Sequence, residues 1–306
     1  MKNIGVFFSS KAKLIEKTEC GPNFELVQSD NRYIVISKDV DPSNGSKSFA
    51  ITLKDDLFNW TYGFKKSLYE VVYNEDIPVK AFFDYDRKLE EDNIMFHRIY
   101  DDREAMLTYI TPVIKQIQLD FQTLCPGSDS DRYIIYESCT ETKISFHIIF
   151  PDCVFQNILQ HRRFFEHMTP NRFLDGLIYT KFRSFRIPFC KKLSASSDLA
   201  IKKLLYPDIH DQFQYAFEIK QYFSRSLITN IPSKAELLDL ILKRPPPENR
   251  NPIYQVSEPV ESESSDEEPI IFSKENRFAQ VLKCYNLNAL PNIHSVDSRL
   301  GELLER

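Results

Sequence analysis

Two carboxylates close an apolar, aromatic run in this chain, Val79-Lys80-Ala81-Phe82-Phe83-Asp84-Tyr85-Asp86. The run reads as a buried strand. Side chains alternate across a strand, so Asp84 and Asp86 share a face. Carboxylates held side by side at the end of a buried strand repel one another, and a divalent cation relieves that repulsion. Asp-x-Asp on a strand can therefore hold Mg²⁺ or Mn²⁺ against phosphates, whereas the same pair in a solvated turn has no such role. The choice between these readings depends on whether the rest of the chain supplies phosphate-binding groups.

Two further stretches offer them. Lys143-Ile144-Ser145-Phe146-His147-Ile148 alternates polar with apolar residues, so on a strand Lys143, Ser145 and His147 line one face. Lysine brings a point charge to a phosphate, serine a hydroxyl donor, and histidine a donor that is mostly neutral near physiological pH. An ordinary amphipathic strand with a polar outer face is the alternative. Farther on, Asp175 stands alone ahead of a cation-rich segment with Lys181, Arg183, Arg186, Lys191 and Lys192. The interleaved Phe182, Phe185 and Phe189 can anchor that segment or stack on nucleic-acid bases. A solvated basic loop is the alternative here.

The elements that must position these residues form a mixture. Strands are expected at Ile4–Phe8, Tyr33–Ser37, Tyr69–Val72, Val79–Tyr85, Arg132–Tyr136, Ser145–Phe150 and Phe185–Pro188. Helices are expected at Asp55–Ser67, Arg103–Leu124, Val154–Met168, Asp211–Leu227 and Ser233–Leu242. In the helix from Arg103, the apolar residues Met106, Leu107, Ile110, Val113, Ile114 and Ile117 recur at helical spacing, which marks a core-facing stripe. Strands and helices interleave without a repeat, so the fold class is mixed α/β or α+β.

A length of 306 residues with 42% hydrophobic content is enough for a substantial core. Residues 1–245 have globular texture, residues 246–269 form an acidic linker rich in Pro and Ser, and residues 270–306 form a short tail that is helical at most. Glu261 to Glu268 contains no apolar residue, which excludes a packed core there. Its acidic run ends in Pro269-Ile270-Ile271-Phe272, a pattern suited to docking on a basic-rimmed groove or to serving as a spacer. With only 7 glycines and neither a Walker loop nor GxGxxG, ATP-driven helicase or kinase chemistry is not expected. Net charge is −5, but the acid concentrates in the linker and the base between Lys181 and Lys203. The six cysteines form no CxxC pair, so a zinc ribbon is not readable. No apolar run reaches membrane-spanning length, and no stretch reads as a signal peptide. Reduced thiols in an intracellular, non-secreted protein are the expectation.

In their order, Asp-x-Asp, Ser-x-His and an isolated Asp ahead of an Arg-rich segment resemble the archaeo-eukaryotic primase superfamily. Within it the chain is similar to the branch of eukaryotic PrimPol and the primases of large DNA viruses. Tyr69-Glu70-Val71 before the first Asp, Tyr179-Thr180 after the third, and Phe185-Arg186 with Lys192 strengthen the likeness. Asp211-Gln212-Phe213-Gln214-Tyr215-Ala216-Phe217 looks like the helix that closes the catalytic region in PrimPol. The likeness runs from about Arg32 to about Ile231.

The resemblance implies a primase-type core of two small sheets flanking a cleft. It implies template-directed nucleotidyl transfer on single-stranded DNA, as DNA primase or primase-polymerase, in replication or damage tolerance. Asp84, Asp86 and Asp175 would be the catalytic residues, holding two Mg²⁺ or Mn²⁺ ions. Lys143, Ser145 and His147 would bind the phosphates of a nucleoside triphosphate, with Arg186 and Lys192 on the other side. Arg32 would contact nucleotide or template, and Tyr69 would lie near the sugar. The acidic linker would dock a helicase or a single-stranded-DNA-binding protein, in a nucleus, a mitochondrion or a viral replication compartment, with no membrane partner. The chain departs from PrimPol in the short segment between His147 and Asp175 and in carrying no Cys/His zinc cluster after Cys190.

Two rivals come from other classes. A catalytically silent nucleic-acid-binding subunit of a replication complex would keep the fold and the basic segment, but has no need of three acids facing phosphates. A metal-dependent nuclease shares the two-metal carboxylate chemistry, but the Lys143, Ser145 and His147 face with Arg186 and Lys192 favours a triphosphate.

Overall fold

Among the described residues the longest strand pairing joins the two motif-bearing strands. A computed structural model of the chain describes residues 6–10, 12–14, 32–41, 45–61, 67–73, 76–89, 99–180, 183–193, 201–207, 215–232 and 235–241. Strand β4 (Val79–Lys88) lies antiparallel on β6 (Lys143–Phe155), with Ala81 opposite Phe150, Phe83 opposite Ile148 and Tyr85 opposite Phe146. Strands β5 (Ile134–Glu137) and β8 (Lys203–Tyr206) complete a four-stranded sheet in the order β4-β6-β5-β8. A second four-stranded antiparallel sheet has the order β2-β1-β3-β7, from β1 (Tyr33–Asp41), β2 (Ser46–Leu53), β3 (Leu68–Val71) and β7 (Ser184–Arg186). Two antiparallel sheets with helices between their strands make the fold mixed α+β.

Among the described residues four helices cover these sheets: α1 (Lys54–Thr61), α2 (Arg103–Leu124), α3 (Ile158–His167) and α4 (Tyr215–Ser226). The Asp102 side chain caps α2 by accepting from the Ala105 N–H, and Asn157 caps α3 by accepting from the Gln160 N–H. Phe83 meets Phe121 of α2 and Phe164 of α3, and Tyr85 meets Tyr109 of α2. Burying each such side chain stabilises the fold by about 1.5–3 kcal/mol. In the other sheet, Ile34 and Ile36 of β1 join Leu57 and Phe58 of α1 and Ile219 and Phe223 of α4 in one core. Val35, Ile51 and Val71 point to the opposite face, under Phe8 and Leu14.

The two sheets are tied together at the turn after α4. Glu70 of β3 is buried and accepts hydrogen bonds from the backbone N–H groups of Ile228 (2.9 Å) and Thr229 (2.7 Å) and from the Thr229 hydroxyl (2.5 Å). The Lys54 ammonium donates to the Thr229 carbonyl. From the other sheet, the Lys80 backbone N–H donates to the Ile228 carbonyl and its ammonium donates to the Arg225 carbonyl at 2.6 Å. A buried carboxylate and two buried ammoniums thus satisfy the carbonyls and N–H groups at the end of α4.

Several elements differ from the sequence reading. Strands β2 and β8 were not expected. Strand β6 runs on through Val154 and Phe155, so α3 starts at Ile158 rather than at Val154. Residues 235–241 are not helical. Leu237 bridges Val154, the Leu238 N–H goes to the Val154 carbonyl, and the Ile241 N–H goes to the Leu124 carbonyl. These N–H groups bond across to β6 and α2 instead of back along a helix.

The chain divides into Met1–Glu248 and Asn249–Arg306. The second unit lies outside the described residues, as do the start of the strand expected from Ile4, residues 211–214 of the expected closing helix, and the acidic linker and tail. Among the described residues no helix is long and apolar enough to cross a membrane. The four described cysteines, Cys125, Cys139, Cys153 and Cys190, are buried free thiols.

Burial pushes the Lys80 ammonium pKa down to about 7, with Glu70 resisting. An unfolded lysine titrates near about 10.4. Between those values the unfolded chain binds a proton that the folded chain has released, so folding stability rises with pH across that window. We predict that wild type gains stability relative to Lys80→Met between about pH 7 and about pH 10, in urea titrations of both proteins. A difference that stays flat over that range would contradict the buried ammonium.

Candidate active site

The β4–β6 register that pairs apolar residues on the helix side pairs polar ones on the other. Asp84 lies opposite His147, Asp86 opposite Ser145, and Lys88 opposite Lys143. A slip of one residue would send every one of these side chains to the opposite face. The Lys143 ammonium reaches Asp86 Oδ2 at 2.7 Å, and His147 Nε2 stands 3.5 Å from Asp84 Oδ1. Ser145 and His147 are both buried, which excludes the solvated amphipathic strand.

Asp175 arrives from a separate segment. Leu174 bridges Tyr85, the Asp175 N–H donates to the Asp84 carbonyl at 2.9 Å, and the Asp86 N–H donates to the Phe173 carbonyl at 2.8 Å. Residues 173–175 thus add a short stretch of pairing to the free edge of β4. The Asp175 carboxylate caps the 3₁₀ turn Gly176–Ile178, its Oδ1 accepting from the Leu177 N–H at 2.8 Å. Below it the Tyr179 hydroxyl donates to the Phe82 carbonyl, and burial, with Asp84 and Asp175 adding to it, holds the phenol proton on.

Arg186, on β7 opposite Tyr69, brings the second sheet to the site. Its neighbour Phe185 stacks on the His147 imidazole with ring centres 4.1 Å apart. Arg186 is 9% exposed, and its charge acts on Asp84, His147, Lys192 and Lys202. Lys192 stands exposed at the rim, where partial desolvation and then Lys143 and Arg186 lower its pKa.

Lys202, absent from the sequence-based site, is fully buried, and its ammonium donates to Ser145 Oγ at 3.1 Å. Its position is set by backbone pairing: the Phe189 N–H donates to the Lys202 carbonyl and the Lys202 N–H donates to the Cys190 carbonyl. Phe189 takes a left-handed conformation, φ 63°, to make that turn, and its ring is held in the core by Phe58, Phe223 and Tyr136.

The charges of this cluster oppose one another. Burial pushes the Asp84 carboxyl above its ordinary range against the pull of Lys202, and the neighbouring Asp86 adds to the rise. Burial would raise Asp86 too, but Lys143 and Lys202 outweigh it and hold that carboxylate below the usual range. Lys202 is pushed down by burial and by Arg186. Burial and the surrounding Lys202, Arg186 and Lys143 keep the His147 imidazole neutral.

The metal that the resemblance implies can be tested against these donors. Asp84 Oδ1 and Asp86 Oδ1 are buried without a hydrogen-bond partner. Two orphaned carboxylate oxygens suit a hard divalent ion such as Mg²⁺ or Mn²⁺. Among the described residues no group of three or more His, Cys, Asp or Glu side chains converges as a metal site. Asp84 and Asp86 therefore fit an ion as a pair, with Asp175 beside them as a cap.

The remaining expected residues divide. Tyr69 donates to Asp39 Oδ2 at 2.7 Å, Lys47 holds Asp39 Oδ1 at 2.5 Å and lies over the Tyr69 ring at 3.4 Å, and Ser67 joins the same carboxylate. Burial and Asp39 push the phenol pKa up to about 12, so Tyr69 remains a donor beside Arg186. Arg32 is not brought to the site. It is exposed just before β1, its carbonyl accepting from the Lys54 N–H and its guanidinium over Tyr33. Five residues of strand, about 16 Å, separate it from Ser37, which meets Ser184 of β7. Phe185 and Phe189 are packed inside the fold rather than offered to bases; Lys181 and Phe182 lie outside the described residues.

No family model matches the chain. The chain is similar to "Uncharacterized protein ORF49" of Ostreid herpesvirus 1 (isolate France), at 28% identity over 196 residues, covering 54% of this chain and 17% of that protein. The chain thus spans less than a fifth of that relative's length.

A neutral His147 gives a direct check. We predict that its imidazole signals in a ¹H–¹³C spectrum stay at their neutral positions from about pH 8 down to about pH 6. A titration midpoint at the ordinary histidine value would show that the ring is not enclosed as described.

Proposed function

We propose that the chain is a nucleotidyltransferase of the primase-polymerase type, adding nucleotides to a 3′-hydroxyl on a single-stranded DNA template. One observation carries the reading: the orphaned oxygens of Asp84 and Asp86 lie against Ser145 and His147, within reach of the charges of Lys143, Arg186, Lys192 and Lys202. A site of paired carboxylates ringed by four cations suits a divalent ion and a polyphosphate together.

Asp84 and Asp86 would hold the ion, which when bound neutralises phosphate charge and lowers the pKa of an attacking hydroxyl. Ser145 and the neutral His147 are placed as donors to phosphate oxygens. Lys143, Arg186 and Lys192 offset the charge that builds on the pyrophosphate as it leaves. In the reaction the 3′-oxygen forms a bond to the α-phosphorus as the bond from that phosphorus to the bridging oxygen breaks; pyrophosphate leaves and the hydroxyl proton passes to water. Asp175 is the third acid of the site and positions the edge of β4 at Asp84. Tyr69, held by Asp39 next to Arg186, is the residue placed to meet the sugar.

Primed single-stranded DNA, deoxynucleoside triphosphates and Mn²⁺ or Mg²⁺ test this with the full chain. We predict products longer than the primer, and a loss of about a thousandfold or more in rate for Asp84→Ala and for Asp86→Ala with the fold retained. Shortened primer would instead indicate a nuclease, and template binding with unchanged primer length a binding module. Extension that persists in both variants would refute the metal assignment.

A further inference from the structure

Asp39 belongs to none of the sequence motifs, yet it gathers donors from three other segments. It lies partly buried near the end of β1, where the register with β2 shifts between Asp39 and Asp41. Its Oδ1 accepts from the Lys47 ammonium of β2 at 2.5 Å. Its Oδ2 accepts from the Ser67 hydroxyl, from the Tyr69 hydroxyl of β3 at 2.7 Å and from the Leu193 N–H at 3.5 Å. Burial would raise this carboxyl, but Lys47, Ser67 and Tyr69 outweigh it and hold it below its ordinary range.

These bonds are not needed to pair the strands. Backbone pairing already joins β1 to β2 on one side and to β3 on the other. What the carboxylate adds is the placement of side chains at the candidate site. The Tyr69 hydroxyl is tied to Asp39, and the Lys47 ammonium covers the ring 3.4 Å from its centre, so the phenol is held at its tip and on its face. Directly opposite Tyr69 on β7 stands Arg186, whose charge acts on both the phenol and Asp84. The Leu193 N–H joins the same Asp39 oxygen to the residue after Lys192, the cation at the rim.

We propose that Asp39 is a positioning residue of the nucleotide site, acting through Tyr69 to set the wall beside Arg186 against which a nucleoside triphosphate binds. This rests on the nucleotidyltransferase reading and deepens it. A side chain ordered before the ligand arrives loses no freedom on binding, whereas an untethered one costs about 0.5–1.5 kcal/mol to immobilise. Cutting the tether therefore weakens nucleotide binding, while the chemical step at Asp84 and Asp86 is unchanged.

The test is primer extension by the full-length chain with Mn²⁺ at varied deoxynucleoside triphosphate concentration, for wild type, Asp39→Asn, Tyr69→Phe and the double variant. The expected result is a KM raised about three- to tenfold in each single variant, with kcat within about twofold of wild type. The double variant should match the single ones, because both substitutions break the same bond. An unchanged KM in Asp39→Asn, whatever happens to its melting temperature, would overturn the proposal and leave the nucleotidyltransferase reading standing. Effects on KM that multiply in the double variant would overturn the route through Tyr69. A wild-type chain that neither extends the primer nor binds the nucleotide would overturn the proposal together with the reading beneath it. Tyr69→Phe removes only the hydroxyl, so an unchanged KM in that variant overturns the proposal even if Asp39→Asn does not fold.

Discussion

Pairing Phe83 with Ile148 and Tyr85 with Phe146 on one face of β4 and β6 forces Asp84 onto His147 and Asp86 onto Ser145 on the other. The aromatic contacts of Phe83 and Tyr85 with α2 and α3 hold that register, because a slip would exchange buried rings for carboxylates. The chemistry-bearing face is therefore a consequence of the core. Asp175 extends the same logic, since its position follows from pairing at the edge of β4 rather than from its own side chain.

The second constraint is electrostatic. Two aspartates at a strand end would be costly on their own, and four cations from three separate segments converge on them: Lys143 from β6, Arg186 from β7, and Lys192 and Lys202 from the chain that follows. Arg186 and Phe185 belong to the other sheet, so the site forms only when the sheets are docked. Glu70, Lys54 and Lys80 secure that docking by capping the end of α4 from both sides. The buried charges thus form two separate clusters, one holding the sheets together and the other gathered around Asp84 and Asp86.

Strand alternation was enough to place Asp84 with Asp86 and Lys143 with Ser145 and His147, because each set lies within one continuous strand. Helix α2 was readable from end to end, because its apolar stripe and its Asp102 cap coincide. Lys202 was not readable. In Ile201-Lys202-Lys203-Leu204 either lysine could turn inward, and the choice depends on pairing with Phe189 and Cys190, through a left-handed phenylalanine that nothing in its residue type announces. Arg32 precedes β1, about five residues from Ser37, and the short Asn31-Arg32-Tyr33-Ile34 match carries no register that would reveal this distance. The segment 235–241 has helical composition, but its N–H groups bond to β6 and α2, a tertiary choice invisible to local periodicity.

The proposed function requires Asp84 and Asp86 to hold a metal ion against bound phosphates. Anomalous diffraction from crystals of the full chain grown with Mn²⁺ and a non-hydrolysable deoxynucleoside triphosphate reads this directly. The predicted result is a manganese peak at about 2.1 Å from an oxygen of each aspartate, with the triphosphate against Ser145 and His147. A peak elsewhere, or a triphosphate bound away from β6, would contradict it.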